Sequence, residues 1–355
     1  MPPWPGFAGW MRIERFDPVA DTEKIIACHA LYEAGHPVDD PAVPMMSLPT
    51  FTGWFSMGWT YCPREAWLVP GGQDRIPAAA ALLELPVSEN RHIGRVSITV
   101  APGERRRGIG TELLRHSAQR AAELGRTVLS AVARDGSAGS AFAVAVGARK
   151  GIVDVRRVLD LADIPVGKLE SLRRRAEAAA GGYSLLSWRG PCPREYLEQV
   201  AAVTNALADA PHSPGQEPEQ VTGLRIRQSE LRIAAQGLRY YTVAARHDQT
   251  GELAGLTQVG VDPMQPDWGF QEMTAVTRPH RGHRLGLLVK VAMLELLAGR
   301  EPELEHILTD NADANGHMIA INADLGFRVL DQWQGWQVDV TRAAAPAAPE
   351  SAPPE

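Results

Sequence analysis

Cysteine and lysine are the scarcest reactive residues in this chain. Cysteine occurs only at Cys28, Cys62 and Cys192, an odd set without metal-ligand spacing or a histidine-bearing cleft motif. A disulfide framework, a structural metal site and a catalytic thiol are therefore not expected. Lysine occurs only at Lys24, Lys150, Lys168 and Lys290, so nearly all basic charge is arginine. No apolar run approaches the roughly 20 residues that a bilayer span needs. The start, Met1-Pro2-Pro3-Trp4-Pro5-Gly6, has neither a charged n-region nor a continuous apolar segment, so the expectation is a cytoplasmic protein without signal peptide or membrane partner. A net charge of −6 and a pI near 6.0, without a broad basic face, argue against a nucleic-acid partner. The phosphate-loop pattern G-x-x-x-x-G-K-[ST] is missing, and no G-x-G-x-x-G follows either of the strands discussed next.

What the chain does contain is a short basic, glycine-bearing turn that occurs twice, each time after a strand-like run and before an amphipathic helix. The first is Arg105-Arg106-Arg107-Gly108-Ile109-Gly110, entered from Val96–Val100 and continued by Thr111. The second is Arg281-Gly282-His283-Arg284-Leu285-Gly286, entered from Glu272–Val276. The two turns are offset by 281 − 105 = 176 residues, and Gly147 and Gly326 by 326 − 147 = 179. That agreement argues for a duplicated domain, for which 355 residues with 45% hydrophobic and 22% charged composition suffice. A strand, a turn rich in Arg and Gly, and then a helix put free backbone N–H groups and a positive helix end at one spot, which suits a pyrophosphate. Arginine adds bidentate, charge-assisted contacts.

These residues resemble the coenzyme A loop of the GNAT acyltransferase superfamily, Gln/Arg-x-x-Gly-x-Gly/Ala. Arg105, Gly108 and Gly110 satisfy the pattern; in the second copy Arg281 and Gly286 match, while Arg284 stands at the middle glycine. Asn311, Asn315 and the ending Leu325-Gly326-Phe327 look like the family's later segment, whose asparagines contact the cofactor. The resemblance implies an α/β (α+β) fold of two tandem domains, each a mixed central sheet flanked by helices. It also implies acetyl-CoA as cofactor and an amine of a small metabolite or short peptide as partner, in a monomer or homodimer. The domains are expected at 1–180 and 181–342, with a disordered Ala/Pro/Ser/Glu tail at 343–355.

The resemblance assigns the cofactor to Val100, Arg105, Arg106, Arg107, Gly108, Ile109, Gly110 and Thr111 in the first copy. In the second it assigns Val276, Arg281, Gly282, His283, Arg284, Leu285, Gly286, Asn311 and Asn315. Acyl transfer to an amine needs a base for the amine and a proton for the leaving thiolate. Glu272 precedes the second turn by nine residues, whereas Val96 holds the equivalent place in the first. Glu272 is thus the candidate base, its alternative being a solvated strand carboxylate. The family tyrosine position falls on Asn322 and Ala143, so another donor is required. Tyr241 is taken with Glu272 as the catalytic pair, and Tyr240, His317 and water are the alternatives. Met45, Met46, Phe51, Trp54, Phe55, Met57, Trp59 and Tyr61 either line an acceptor pocket or pack as core. Other functions remain open: an antibiotic or thiol-sugar amine acetyltransferase working from the first domain, or a non-catalytic coenzyme A-binding module.

Overall fold

Arg64–Val69 and Ala79–Glu84 are short apolar runs buried along nearly their whole length, the pattern of strands covered on both faces. The computed structural model describes residues 11–58, 62–71, 76–209, 211 and 213–345. The chain forms two compact units, one from Met1–Pro41, Tyr61–Gly151 and Gly335–Glu355, the other from Ala42–Thr60 and Ile152–Gln334. The units thus depart from a simple division at residue 180. Residues 42–60 and 152–180 lie with the second unit, and 335–342 with the first.

The first unit orders its strands β1 (Glu14–Phe16), β2 (Arg64–Val69), β3 (Ala79–Glu84), β4 (Ile93–Val100), β5 (Val128–Arg134) and the last part of β12 (Arg328–Asp339). β1 to β4 are antiparallel and β4 to β5 parallel. Its helices are α1 (Thr22–Asp39), α3 (Ile109–Glu123), α4 (Ala138–Ala145) and α10 (Val340–Ala344). Ile109, Leu113, Leu114, Ala118 and Ala121 of α3 form one buried stripe at helical spacing. They pack with Trp67, Ala79, Ala81 and Leu83, each large side chain contributing about 1.5–3 kcal/mol.

The second unit runs from the first part of β12 through β6 (Arg149–Asp160), β11 (His306–Ala312), β10 (Trp268–Val276), β9 (Leu253–Val261) and β8 (Arg239–His247) to β7 (Tyr183–Arg189). Helices α5 (Lys168–Glu177) and α8 (Leu285–Arg300) join Tyr241, Val243, Val259 and Val261 in one core. Helix α6 (Leu197–Asn205) packs with Ala244, Leu256 and Ala275 in another, with Ile226 of α7 (Gly223–Ala235) against it. Alternation along the strands separates these two faces. Helix α9 (Gly316–Leu325) completes the unit, together with α2 (Leu48–Met57), which packs on α7.

α1 runs through Pro37 to Asp39. α2 lies in the stretch expected to line an acceptor pocket or to pack as core; the Ser47 hydroxyl accepts the Thr50 N–H and Pro49 occupies the first turn, where its missing N–H is harmless. Phe51 and Phe55 of α2 are buried and stacked, so these two act as core. Trp59 and Tyr61 lie outside the described residues. α10 carries order to Ala344, past the expected start of the tail, and residues 346–355 lie outside the described residues. Among the described residues no helix is long and apolar enough to cross a membrane.

Candidate active site

In the second unit β10 and β11 pair in parallel only from Trp268↔His306 to Gln271↔Thr309. Beyond that point β10 stays on β9 as far as Val276, and β11 stays on β6 as far as Ala312. The two strands therefore part and open a cleft whose facing backbone groups are not paired with each other. The first unit has the same geometry: β4 and β5 pair from Ile93↔Val128 to Arg95↔Ser130, while β4 runs on to Val100.

The turns that follow these opened strands share one backbone. Arg106 and Gly108 have φ of 64° and 80° in the first, and Gly282 and Arg284 have 90° and 54° in the second. Both turns need two left-handed residues, and each places glycine at one and arginine at the other, in opposite order. A non-glycine there costs about 1–2 kcal/mol. Arg284→Gly is therefore expected to stabilise the second unit by about 1 kcal/mol, seen as a raised urea midpoint, while weakening anion binding at that turn.

Arg105 and Arg281 do not point freely outward. Arg105 Nε donates to the Val100 carbonyl at 3.1 Å and Arg281 Nε to the Val276 carbonyl at 3.2 Å. Their remaining N–H groups reach carboxylates, Asp39 at 3.0 and 2.6 Å for Arg105 and Asp209 at 2.7 Å for Arg281. These two arginines brace the turn, and the Val100 and Val276 carbonyls are engaged by them rather than offered to a ligand. Arg107 pairs with Glu104 at 2.7 Å. Arg106, Gly282, His283 and Arg284 are exposed, as is Thr111. Ile109 and Leu285 are buried anchors of their helices. Gly110 lets α3 begin beside Val100 and Phe142; Gly286 does the same beside Ile321, 3.1 Å from where its Cβ would stand. What remains at each turn is a helix start with exposed arginine, a set that fits a phosphate ligand. Tyr183 and His280, bonded at 2.8 Å, stand with His247 and His283 around the second turn, an arrangement that the sequence order conceals.

Glu272 lies where the strands part. The β9–β10 register slips between Gln271 and Met273, which makes Glu272 the extra residue of a bulge, a device that re-aims a side chain. Solvent reaches it, yet surrounding protein raises its pKa, opposed by Arg232 and reinforced by Asp310. The carboxyl thus stands at the parting of β10 and β11 with Arg232 and Asp310 near enough to act on its charge. Burial also raises Asp310, and raises Asp154 with help from Asp310. Tyr240 is near enough to feel Glu272: burial and then the Glu272 charge push its pKa well up. In the first unit the β3–β4 register runs without a slip and Val96 is buried.

Tyr241 is not the partner of Glu272. It pairs with Val259 on β9 and joins the α5/α8 core on the other face, because successive strand residues point to opposite sides. Its hydroxyl donates to Glu301 at 2.5 Å, and Arg239 grips the same carboxylate at 2.6 and 2.7 Å. Tyr241→Phe should therefore cost about 1.5 kcal/mol of stability in a denaturant titration and leave turnover unchanged.

Asn315 caps α9, its Oδ1 accepting the Met318 N–H at 3.3 Å. Asn311, on β11 past the parting point, accepts from Asn322 at 2.6 Å. His317 is exposed at the start of α9. Among the described residues no group of three or more His, Cys, Asp or Glu is placed to hold a metal ion.

Residues 21–142 match the acetyltransferase (GNAT) family, and the chain aligns over 95% of its length with the whole of a tandem GNAT protein from the clavulanic acid biosynthesis pathway, at 29% identity and a TM-score of 0.77. Residues 21–142 carry a GNAT acetyltransferase domain, and the chain as a whole is similar to a tandem GNAT protein. A GCN5-related N-acetyltransferase from Sphaerobacter thermophilus shares the GNAT fold at 16% identity and a TM-score of 0.64, with 92% of this chain and 96% of that one covered. The glucosamine N-acetyltransferase region of a fungal multi-domain GH3 β-N-acetylglucosaminidase shares it at 14% identity and a TM-score of 0.63, with 93% and 38% covered. No curated protein sequence matches the chain.

Proposed function

We propose that this protein is a tandem GNAT enzyme, an acetyl-CoA-dependent N-acetyltransferase acting on a primary amine of a small metabolite or short peptide, with its chemistry in the second unit. The observation that carries the reading is the bulge that sets Glu272 at the point where β10 and β11 part. Acetyl-CoA, when bound, supplies the acetyl thioester. Arg284, His283 and the start of α8 would hold its phosphates, with Asn311 along the cleft.

Glu272 removes the proton that the amine must lose to become a nucleophile. A carboxylate raised from its ordinary value is better matched to that task near neutral pH. Asp310 and Asp154 extend the negative potential around Glu272 and favour a cationic amine over a neutral alcohol. Tyr240, on the Glu272 side of the sheet, replaces Tyr241 as the hydroxyl donor; its raised pKa keeps the proton available. The first unit has the turn without a carboxylate at Val96 and is assigned a binding or structural role.

Thiol release from acetyl-CoA across a panel of primary amines tests this. Amine-dependent release, greater for cationic amines than for matched alcohols, is the expected result. Acetyl-CoA binding without amine-dependent release would instead support the non-catalytic module.

A further inference from the structure

Lys290 lies within α8 and is 2% exposed among Leu, Val and Met neighbours. A lysine in such a place needs an acceptor, and it has one: Nζ donates to Asn322 Oδ1 at 2.7 Å. Asn322 is fully buried and donates from Nδ2 to Asn311 Oδ1 at 2.6 Å. The ammonium also stands 5.0 Å from the centre of the Phe327 ring. Burial draws the Lys290 ammonium down to about 7.

This ladder has a direction. In its protonated form Lys290 can only donate, so Asn322 then turns its oxygen to Lys290 and its NH2 to Asn311, as the observed contacts have it. Asn311 must then accept through Oδ1, which leaves its own NH2 as the donor at the half-buried, outer end of the ladder. Asparagine alone has no such preference, since its amide can turn over and bond either way.

We propose that Lys290 is a positioning residue that sets the polarity of the Asn322–Asn311 ladder, so that Asn311 presents an N–H donor to a carbonyl of the coenzyme's pantetheine arm in the β10–β11 cleft. The inference rests on the reading of that cleft as the cofactor site. It also explains why an asparagine can stand at position 322: there it transmits orientation and carries no proton.

Asn322→Asp separates this role from a packing role. The aspartate keeps Lys290 paired, as an ion pair, but offers only acceptors, so Asn311 must turn over and present its oxygen to the cleft. Calorimetric titration with coenzyme A, read at the site that Arg284→Glu weakens, should show Asn322→Asp binding about tenfold more weakly while melting no lower than wild type. Lys290→Met frees the ladder to turn either way and should weaken binding by about threefold; it carries the test if the aspartate variant melts early. Wild-type affinity in both variants would overturn the proposal. An absence of coenzyme A binding by the wild type would instead overturn the reading of the cleft.

Discussion

Glu272→Gln is expected to lower kcat for amine acetylation by about 10²–10⁴ and to leave the dissociation constant for acetyl-CoA unchanged. The glutamine keeps the size and hydrogen-bonding reach of the side chain, so the bulge and the parted strands persist. It removes only the group that accepts the proton. The wild-type kcat/KM should fall as pH drops through the Glu272 pKa, which burial and Asp310 hold above the ordinary carboxylate value against Arg232. The sign follows from the role: the base works only when ionised, so activity is lost on the acid side. That acid limb should disappear in Glu272→Gln. Steady-state rates over a pH series, with calorimetry for the donor, distinguish this outcome from a general weakening of the site.

Gly53→Val is expected to destabilise the second unit by about 3 kcal/mol, far more than a surface change would. α2 meets the end of α7 so closely that a Cβ on Gly53 would lie 2.6 Å from the Gln236 nitrogen and 2.7 Å from the Ala235 carbonyl oxygen. These are backbone atoms, so no side chain can swing aside. The contact is specific: Ser47 and Thr50 hydroxyls donate to buried Asp262 at 2.6 and 2.7 Å, and the Gln265 amide donates to the Met45 carbonyl. Undocking α2 would strip that carboxylate of both hydroxyl donors and leave it the Met264 N–H alone among these contacts. Because α7 carries Arg232, which opposes the raised Glu272 pKa, the same variant should also lose acetylation activity. A urea titration read with the activity assay checks both; a midpoint unchanged from wild type would contradict the close approach.

The turns, the strands before them and the helices after them were legible because arginine, glycine and apolar spacing all mark the same boundaries. Position 272 stands out in the sequence only through the contrast of its carboxylate with Val96. The bulge there was not legible, since no glycine signals it. The choice between Tyr240 and Tyr241 depends on which face each takes, and a one-residue difference reverses that. α7 escaped because Leu224 and Leu231 face solvent while Arg232 is buried, the opposite of an ordinary amphipathic stripe. α2 escaped because Pro49 and Gly53 read as breakers, although one sits in the first turn and the other at a close contact. Lys290 is a lone lysine in an apolar helix, and its meaning depends on Asn322 and Asn311, which lie far along the chain. The placement of residues 42–60 with the second unit leaves no local mark at all.

If the second unit performs the acyl transfer, single-turnover thiol release from acetyl-CoA in the presence of a primary amine must depend on Glu272 and not on the first turn. Wild type and Arg106→Glu should release thiol, whereas Glu272→Gln should bind acetyl-CoA and release almost none. Equal release by Glu272→Gln and wild type, or loss of release only in Arg106→Glu, would contradict it.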